Sequence, residues 1–132
     1  MQNHTEKYID RAIKNYKSGE YSREHFPDSH GYKSADEAYG VIEKKGRLLR
    51  TETLLHGDHC LPNIILDDWK FSGYVDLGDG GVGDRHVDIF WTIWSLWFNL
   101  KTDCRERFID AYGRADVDDE RLRIVAAAEV FN

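Results

Sequence analysis

The sequence predicts a mainly α domain carrying one small β-hairpin. Apolar residues recur at three- and four-residue spacing in five separate stretches, the period of a helix with one buried face. In one place only, two β-prone runs, Ile64-Ile65-Leu66 and Phe71-Ser72-Gly73-Tyr74-Val75, flank a short polar turn. At 132 residues, 41% of them hydrophobic, the chain has the size and composition of one domain spanning 1–132.

The elements follow in order. Ile9, Ala12, Ile13 and Tyr16 form one stripe of a helix over about 4–18, and Gly19 is its natural end. Residues 20–33 are polar and aromatic without a period and read as a loop. Ser34-Ala35-Asp36-Glu37 is a capping box that starts a second helix with Ala38, Val41 and Ile42 facing inward. Leu54-Leu55 leads into a polar loop at 56–63, and Asp67-Asp68-Trp69-Lys70 turns the hairpin. A glycine-rich segment at 78–83 is followed by a long helix from near Asp88 that carries Trp91, Trp94 and Trp97, which read as core or lobe-interface packing. Two further helices cover about 103–112, stopped by Gly113, and about 118–131, on Leu122, Val125, Ala126 and Val130.

The loop His56-Gly57-Asp58-His59-Cys60-Leu61-Pro62-Asn63 and the later Asp76-Leu77-Gly78 carry the chemistry. The hairpin between them brings positions 63 and 76 to one end. Two carboxylates and an amide are then grouped as phosphoryl transfer requires: one carboxylate to orient an attacking hydroxyl, and an oxygen pair to hold Mg²⁺ on nucleotide phosphates. Asp58 suits the first role, and Asn63 with Asp76 the second. Either Asp58 or Asn63 alone reads as a turn residue. The joint H-G-D-x₄-N spacing, with V-D-x-G after a hairpin, favours the chemical reading.

Other readings of these segments are weaker. Gly78 to Gly83 matches G-x-G-x-x-G, but Asp84-Arg85 intervenes before the helix and no second parallel strand follows. His56, Asp58, His59 and Cys60 suggest Zn²⁺ ligands, yet no second Cys/His cluster completes a site. Cys60 beside His59 is a poor nucleophile pair, since adjacent residues rarely point together. His56 is better read as a structural residue of the loop. Asp84 and Asp88 bracket Arg85; they serve as a helix cap with a surface ion pair, or else Asp88 hydrogen-bonds the loop backbone and rigidifies it.

A net charge of −6 argues against a nucleic-acid partner, which requires clustered basic residues. Cys60 and Cys104 make no disulfide framework and suit a reducing cytoplasm, and the polar start of the chain is unlike a secretory signal. The apolar run Ile89 to Phe98 is too short to span a bilayer, so no membrane partner is expected and the run reads as a buried core helix.

On these residues the chain resembles the aminoglycoside 3′-phosphotransferases, antibiotic-resistance kinases related to protein kinases. The likeness runs through His56-Gly57-Asp58, Leu61-Pro62-Asn63-Ile64, Phe71 to Gly78, Gly83-Asp84-Arg85 and Asp88-Ile89, and extends to Ser34 to Ala38 upstream and Glu129-Val130-Phe131 downstream. The resemblance implies the C-lobe of a protein-kinase-like fold, with a catalytic loop at 56–63, a metal-binding segment at 75–78 and the N-lobe absent. It implies ATP as cosubstrate and Mg²⁺ as cofactor, Asp58 as catalytic base, Asn63 and Asp76 as metal ligands, and Glu129 as a receiver of substrate amino groups. His56 and Asp88 would support the catalytic loop. The acceptor would be an aminoglycoside or similar polar amine. The alternative is a catalytically silent C-lobe, a remnant or interaction module. Without its N-lobe the chain is expected to be inactive and to self-associate through the exposed lobe interface. Asp79 stands where the family usually has arginine, and Trp94 and Phe98 where it tends to carry an arginine and an acid.

Overall fold

The computed structural model describes residues 3–21 and 31–132. Most of the loop expected at 20–33 therefore lies outside the described residues. Helix α1 spans His4–Ser18; the Asn3 side chain accepts from the Glu6 amide at its start, and Gly19 closes it at φ 74°. Helix α2 spans Ala35–Lys45. Ser34 Oγ caps it by accepting from the Glu37 amide at 3.1 Å. Glu37 returns the bond one residue further back than a reciprocal capping box does, to the Lys33 amide at 2.9 Å. Ala38 and Ile42 are buried, while Val41 lies at the core's edge.

The hairpin is β2, Ile64–Asp67, against β3, Lys70–Tyr74. Ile64 faces Tyr74 across the antiparallel pair, and a bulge falls between Ile65 and Leu66. Asp68 and Trp69 have φ of 51° and 63°. Positive φ at both central residues is the two-residue turn whose twist matches that of the strands. A second sheet, not anticipated from the sequence, pairs β1, Thr53–Leu55, antiparallel with β4, Gly81–Gly83. Both strands are three residues long, and Gly-Val-Gly shows no strand alternation. Packing explains the glycine: a Cβ on Gly83 would sit 2.9 Å from Leu55 Cδ1 and 3.0 Å from His4 Cβ. The fold is thus mainly α with two small sheets.

Helix α3, His86–Leu100, begins two residues before Asp88. Helices α4, Arg105–Tyr112, and α5, Asp119–Glu129, are shorter than the sequence periodicity indicated. Asp118 caps α5 by accepting from the Glu120 amide at 2.8 Å. The core gathers Tyr8 and Ala12 of α1, Ala38 and Ile42 of α2, Val87 of α3 and Ile124, Val125 and Ala128 of α5, with Phe131 beyond it. Each fully buried aliphatic side chain here contributes about 1.5–3 kcal/mol. One expectation is corrected: α3 is buried along one side only. Trp97 is 53% exposed and Phe98 48% exposed, with the Lys101 ammonium over both rings. Among the described residues no helix is long and apolar enough to cross a membrane.

Candidate active site

Strand β1 delivers the chain into the loop at His56, and α3 holds that loop by a polar stripe on an otherwise apolar helix. Asp88 accepts from the amides of His56 at 2.9 Å and Gly57 at 3.0 Å. Thr92, one turn on, accepts from the His59 ring at 2.6 Å, and its hydroxyl reaches the carbonyls of Asp88 and His59. Ser95 Oγ accepts from the Leu61 amide at 2.8 Å. Positions 88, 92 and 95 share one helix face. From sequence, Thr92 and Ser95 read as mere interruptions of an apolar run. The usable signal was their i+4 and i+7 spacing from Asp88.

The His56 ring joins the loop to the hairpin's exit. Its Nε2 donates to the Val75 carbonyl at 2.7 Å, and its Nδ1 accepts from the Asp58 amide at 3.2 Å. Gly57 has φ 90°, and a Cβ there would lie 2.2 Å from the Asp79 carbonyl oxygen. Glycine is the residue this approach allows.

Asn63 closes a short 3₁₀ turn, Leu61–Asn63, and is buried. Its side-chain amide donates to the carbonyl and the carboxylate of Asp58, and its own carbonyl accepts from the Val75 amide at 3.0 Å. The amide oxygen of Asn63 thus turns away from Asp58, while Asp76, the residue after Val75, is exposed with φ 57°. A hard cation fits this donor set: one amide oxygen and one carboxylate, completed by phosphate and water oxygens. Among the described residues no group of three or more His, Cys, Asp or Glu converges as a metal site.

Cys60 Sγ donates to Asp58 Oδ1 at 3.4 Å. Burial, reinforced by the Asp58 carboxylate, pushes the thiol up to about 12, so it stays protonated at neutral pH. With His59 committed to Thr92, the two do not form a nucleophile pair. Segment 78–83 ends in antiparallel β4, unlike the turn of a dinucleotide site.

Asp84 is deeply buried, which corrects the picture of a surface ion pair. Its carboxylate accepts from the Arg50 amide at 2.8 Å, the His86 amide at 2.9 Å, the His86 ring at 2.7 Å and Arg121 at 2.9 Å. Burial alone would raise its pKa; these hydrogen bonds win and hold it well below the usual carboxylate range. Arg85 pairs with Asp116 at 3.5 Å instead.

Glu129, at the end of α5, is 4% exposed. Tyr8 of α1 and Trp91 of α3 both donate to its Oε1, Trp91 at 3.1 Å. Burial raises its pKa to about 7 against the pull of these bonds. Glu129 and Asp58 line the same cleft of 360 Å³, with Asp79, Trp91, Lys7 and Arg11 among its other walls. Asn63 and Asp76 lie outside it, at the hairpin's base. A larger groove of 650 Å³ between α3 and α5, lined by Phe90, Trp94 and Trp97, contains none of the candidate residues.

Residues 5–125 match the family model described as the phosphotransferase enzyme family, APH. The chain belongs to this phosphotransferase family. It is 52% identical, over 97% of its length, to a probable aminoglycoside 3′-phosphotransferase of Lactococcus lactis subsp. lactis (strain IL1403), covering 49% of that protein. It is 34% identical over 73% of its length to an aminoglycoside 3′-phosphotransferase of Niallia circulans, covering 37% of it. The crystal structure of an aminoglycoside-3′-phosphotransferase of type VIII superposes with a TM-score of 0.75 at 23% identity, over 95% of this chain and 50% of that one. The fold is therefore the kinase-like fold of these enzymes, and the chain spans about half the length of the curated relatives it matches.

Proposed function

We propose that this chain carries the catalytic-loop and acceptor side of an ATP- and Mg²⁺-dependent O-phosphotransferase acting on an aminoglycoside or similar polar amine. The observation that carries the reading is the setting of Asp58: its carboxylate is aimed by Asn63, its loop is tied to α3 through Asp88, and it opens into the cleft that holds the buried acid Glu129. Asp58 accepts the proton of the acceptor hydroxyl as that oxygen bonds to the γ-phosphorus of ATP and the bond to the ADP oxygen breaks. Asn63 and Asp76 hold Mg²⁺, which when bound neutralises charge on the phosphates. Glu129 receives an amino group of the acceptor and so places the hydroxyl. His56 and Asp88 keep the loop in register. A cytoplasmic location suits an ATP-dependent enzyme with two free cysteines.

The test is ADP release with Mg·ATP and kanamycin, measured on this chain and on its fusion to the first half of the Lactococcus relative. Turnover by the fusion that falls about 10²–10⁴-fold in Asp58→Ala, with nucleotide binding kept, supports the assignment. Near-normal turnover without the Asp58 carboxylate refutes it.

A second reading rests on the exposed apolar residues of the hairpin, Ile65, Leu66, Trp69 and Phe71, of which Trp69 is 91% exposed. Surfaces of this kind favour association, and an interaction module that pairs with itself or another chain would use this one. Sedimentation of the wild type against Trp69→Ser/Phe71→Ser decides: a concentration-dependent dimer lost in the variant supports the module, and a monomer at all concentrations removes self-association.

A further inference from the structure

Cys60 lies two residues after Asp58 in the same loop, with its thiol against the carboxylate: Sγ donates to Oδ1 at 3.4 Å. Asn63 holds the other oxygen, its side-chain amide donating to Oδ2 at 3.0 Å. Each oxygen of the Asp58 carboxylate thus has one donor, and the two donors flank Leu61-Pro62. The main chain fixes where Cys60 can point. Its amide donates to the Asp58 carbonyl at 2.8 Å, and its carbonyl accepts from the Asn63 amide at 2.9 Å. Asp58, Cys60 and Asn63 are therefore bonded to one another in main chain as well as side chain.

Beside the thiol stands Ser95 of α3, which is fully buried. Its Oγ accepts from the Leu61 amide at 2.8 Å and from the Asn99 side-chain amide at 2.7 Å. A serine hydroxyl has two lone pairs and one proton, so with both lone pairs taken the proton is still to be placed. It goes to Cys60, where the Ser95 hydroxyl bonds the sulfur. Asn99 is itself oriented, since its side-chain amide also donates to the Ser95 carbonyl at 3.0 Å. Hydrogen bonds then run one way, from Asn99 to Ser95 to Cys60 to Asp58, and every member donates towards the carboxylate. A thiol is a weak donor. Here its acceptor is charged, which strengthens the bond, and burial together with that carboxylate keeps the thiol protonated.

We propose that Cys60 is a positioning residue for phosphoryl transfer: with Asn63 it clamps both oxygens of Asp58 and fixes the plane of the carboxylate that receives the acceptor's proton. This deepens the phosphotransferase reading and rests on it for the role of Asp58. A carboxylate whose oxygens are not held turns over a broad range about the bond to its Cβ. Misplacement of a reacting group by about 1 Å costs about 10²-fold in rate. Each carboxylate oxygen offers two lone pairs, so one donor apiece leaves acceptor capacity for a hydroxyl entering the cleft that Asp58 lines. Cys60 neither attacks nor binds a metal in this role.

Two measurements test it. On the chain itself, Cys60 and Cys104 are labelled with iodoacetamide at pH 8.5 and followed separately by peptide mass. Asp58→Asn keeps the shape of the side chain and removes its charge. It should raise the Cys60 rate relative to Cys104 by at least about tenfold, because the thiol loses the carboxylate that holds its proton. An unchanged ratio shows that thiol and carboxylate are not coupled and overturns the proposal. In the fusion to the first half of the Lactococcus relative, with Mg·ATP and kanamycin, Cys60→Ala should lower kcat about tenfold, with KM for both substrates within about twofold of wild type. Cys60→Ser, which keeps a donor, should restore most of kcat. A thiol that only fills space predicts the reverse order, since a buried hydroxyl without a partner is tolerated less well than a methyl. A serine variant no faster than the alanine variant therefore overturns the proposal as well. If both variants turn over like wild type while Asp58→Ala is inactive, this inference fails and the phosphotransferase reading stands. A wild-type fusion without turnover, or one that keeps its rate in Asp58→Ala, removes both.

Discussion

Asn63 gives its side-chain amide to Asp58 twice, to the main-chain carbonyl at 2.9 Å and to the carboxylate at 3.0 Å. The residue proposed to hold the metal thus also aims the proposed base. Asn63→Ala should therefore do two things. It should cost about 1–3 kcal/mol of stability in urea unfolding, because buried partners lose their donor. In a chain with a complete nucleotide site it should also raise the Mg²⁺ concentration needed for half-maximal rate. Asp76→Ala, whose side chain is exposed, should show the second effect without the first. A normal Mg²⁺ requirement in both variants would sink the ligand assignment.

Asp88 satisfies two consecutive loop amides, and among the described residues no other acceptor stands in for it. Asp88→Ala should lower stability by about 2–3 kcal/mol, since both donors are left unpaired in a half-buried place. Hydrogen exchange at the His56 and Gly57 amides should accelerate far more than exchange in α1 or α2. Uniform acceleration across the chain would show that Asp88 has only a general structural effect.

For Glu129 the sign of the pH effect can be worked out. Its pKa rises from the ordinary 4.5 in the unfolded chain to about 7 in the folded one. Between those values the folded chain holds a proton that the unfolded chain releases, so stability is present below 4.5 and is lost as pH rises through 7. Glutamine keeps the oxygen that Tyr8 and Trp91 bond and cannot ionise. Glu129→Gln should thus be near neutral at pH 4.5 and stabilising at pH 8, by on the order of 3 kcal/mol. Thermal unfolding across this range checks it, and a pH-independent difference would refute it.

Gly57→Ala should be among the most damaging small changes in the chain. The added carbon would overlap the Asp79 carbonyl, and φ 90° is strained for alanine. A loss of about 3 kcal/mol or more is expected. Denaturant midpoints within the error of wild type would mean that the loop shifts at little cost.

Much of this architecture was legible in the sequence because local signals agreed with the global fold. The stripe of Ile9, Ala12, Ile13 and Tyr16 ended at a glycine, and two β-prone runs flanked one tight turn. Asp58 and Asn63 could be grouped from their H-G-D-x₄-N spacing taken with V-D-x-G after the hairpin, since only four residues of loop, the last of them Pro62, separate them. What could not be read rests on contacts distant in sequence. The β1–β4 pair joins segments nearly thirty residues apart through strands too short to show a period. Thr92 and Ser95 become meaningful only when the loop is seen lying against α3. Trp97 could be given to the core or to a lobe interface but to neither alone, because hydrophobicity cannot tell which side of an apolar helix is covered.

Asp84 joins three parts of the chain at one carboxylate, and the His86 ring extends the connection by accepting from the Asp118 amide at 2.9 Å. That amide belongs to the residue that caps α5, so the first turn of the last helix is fastened to His86, thirty-two positions earlier, and through Arg121 to Asp84, thirty-seven positions earlier. The fastening makes independent fraying of α5 expensive. Opening it would strip a buried acid of Arg121, disturb His86 and loosen the segment at Arg50 at the same time. The end of the chain, which brings Glu129 and Phe131 to the cleft and the core, is therefore part of one cooperative unit with the segment entering β1. Loss of order at either place should be felt at the other before the rest of the domain melts.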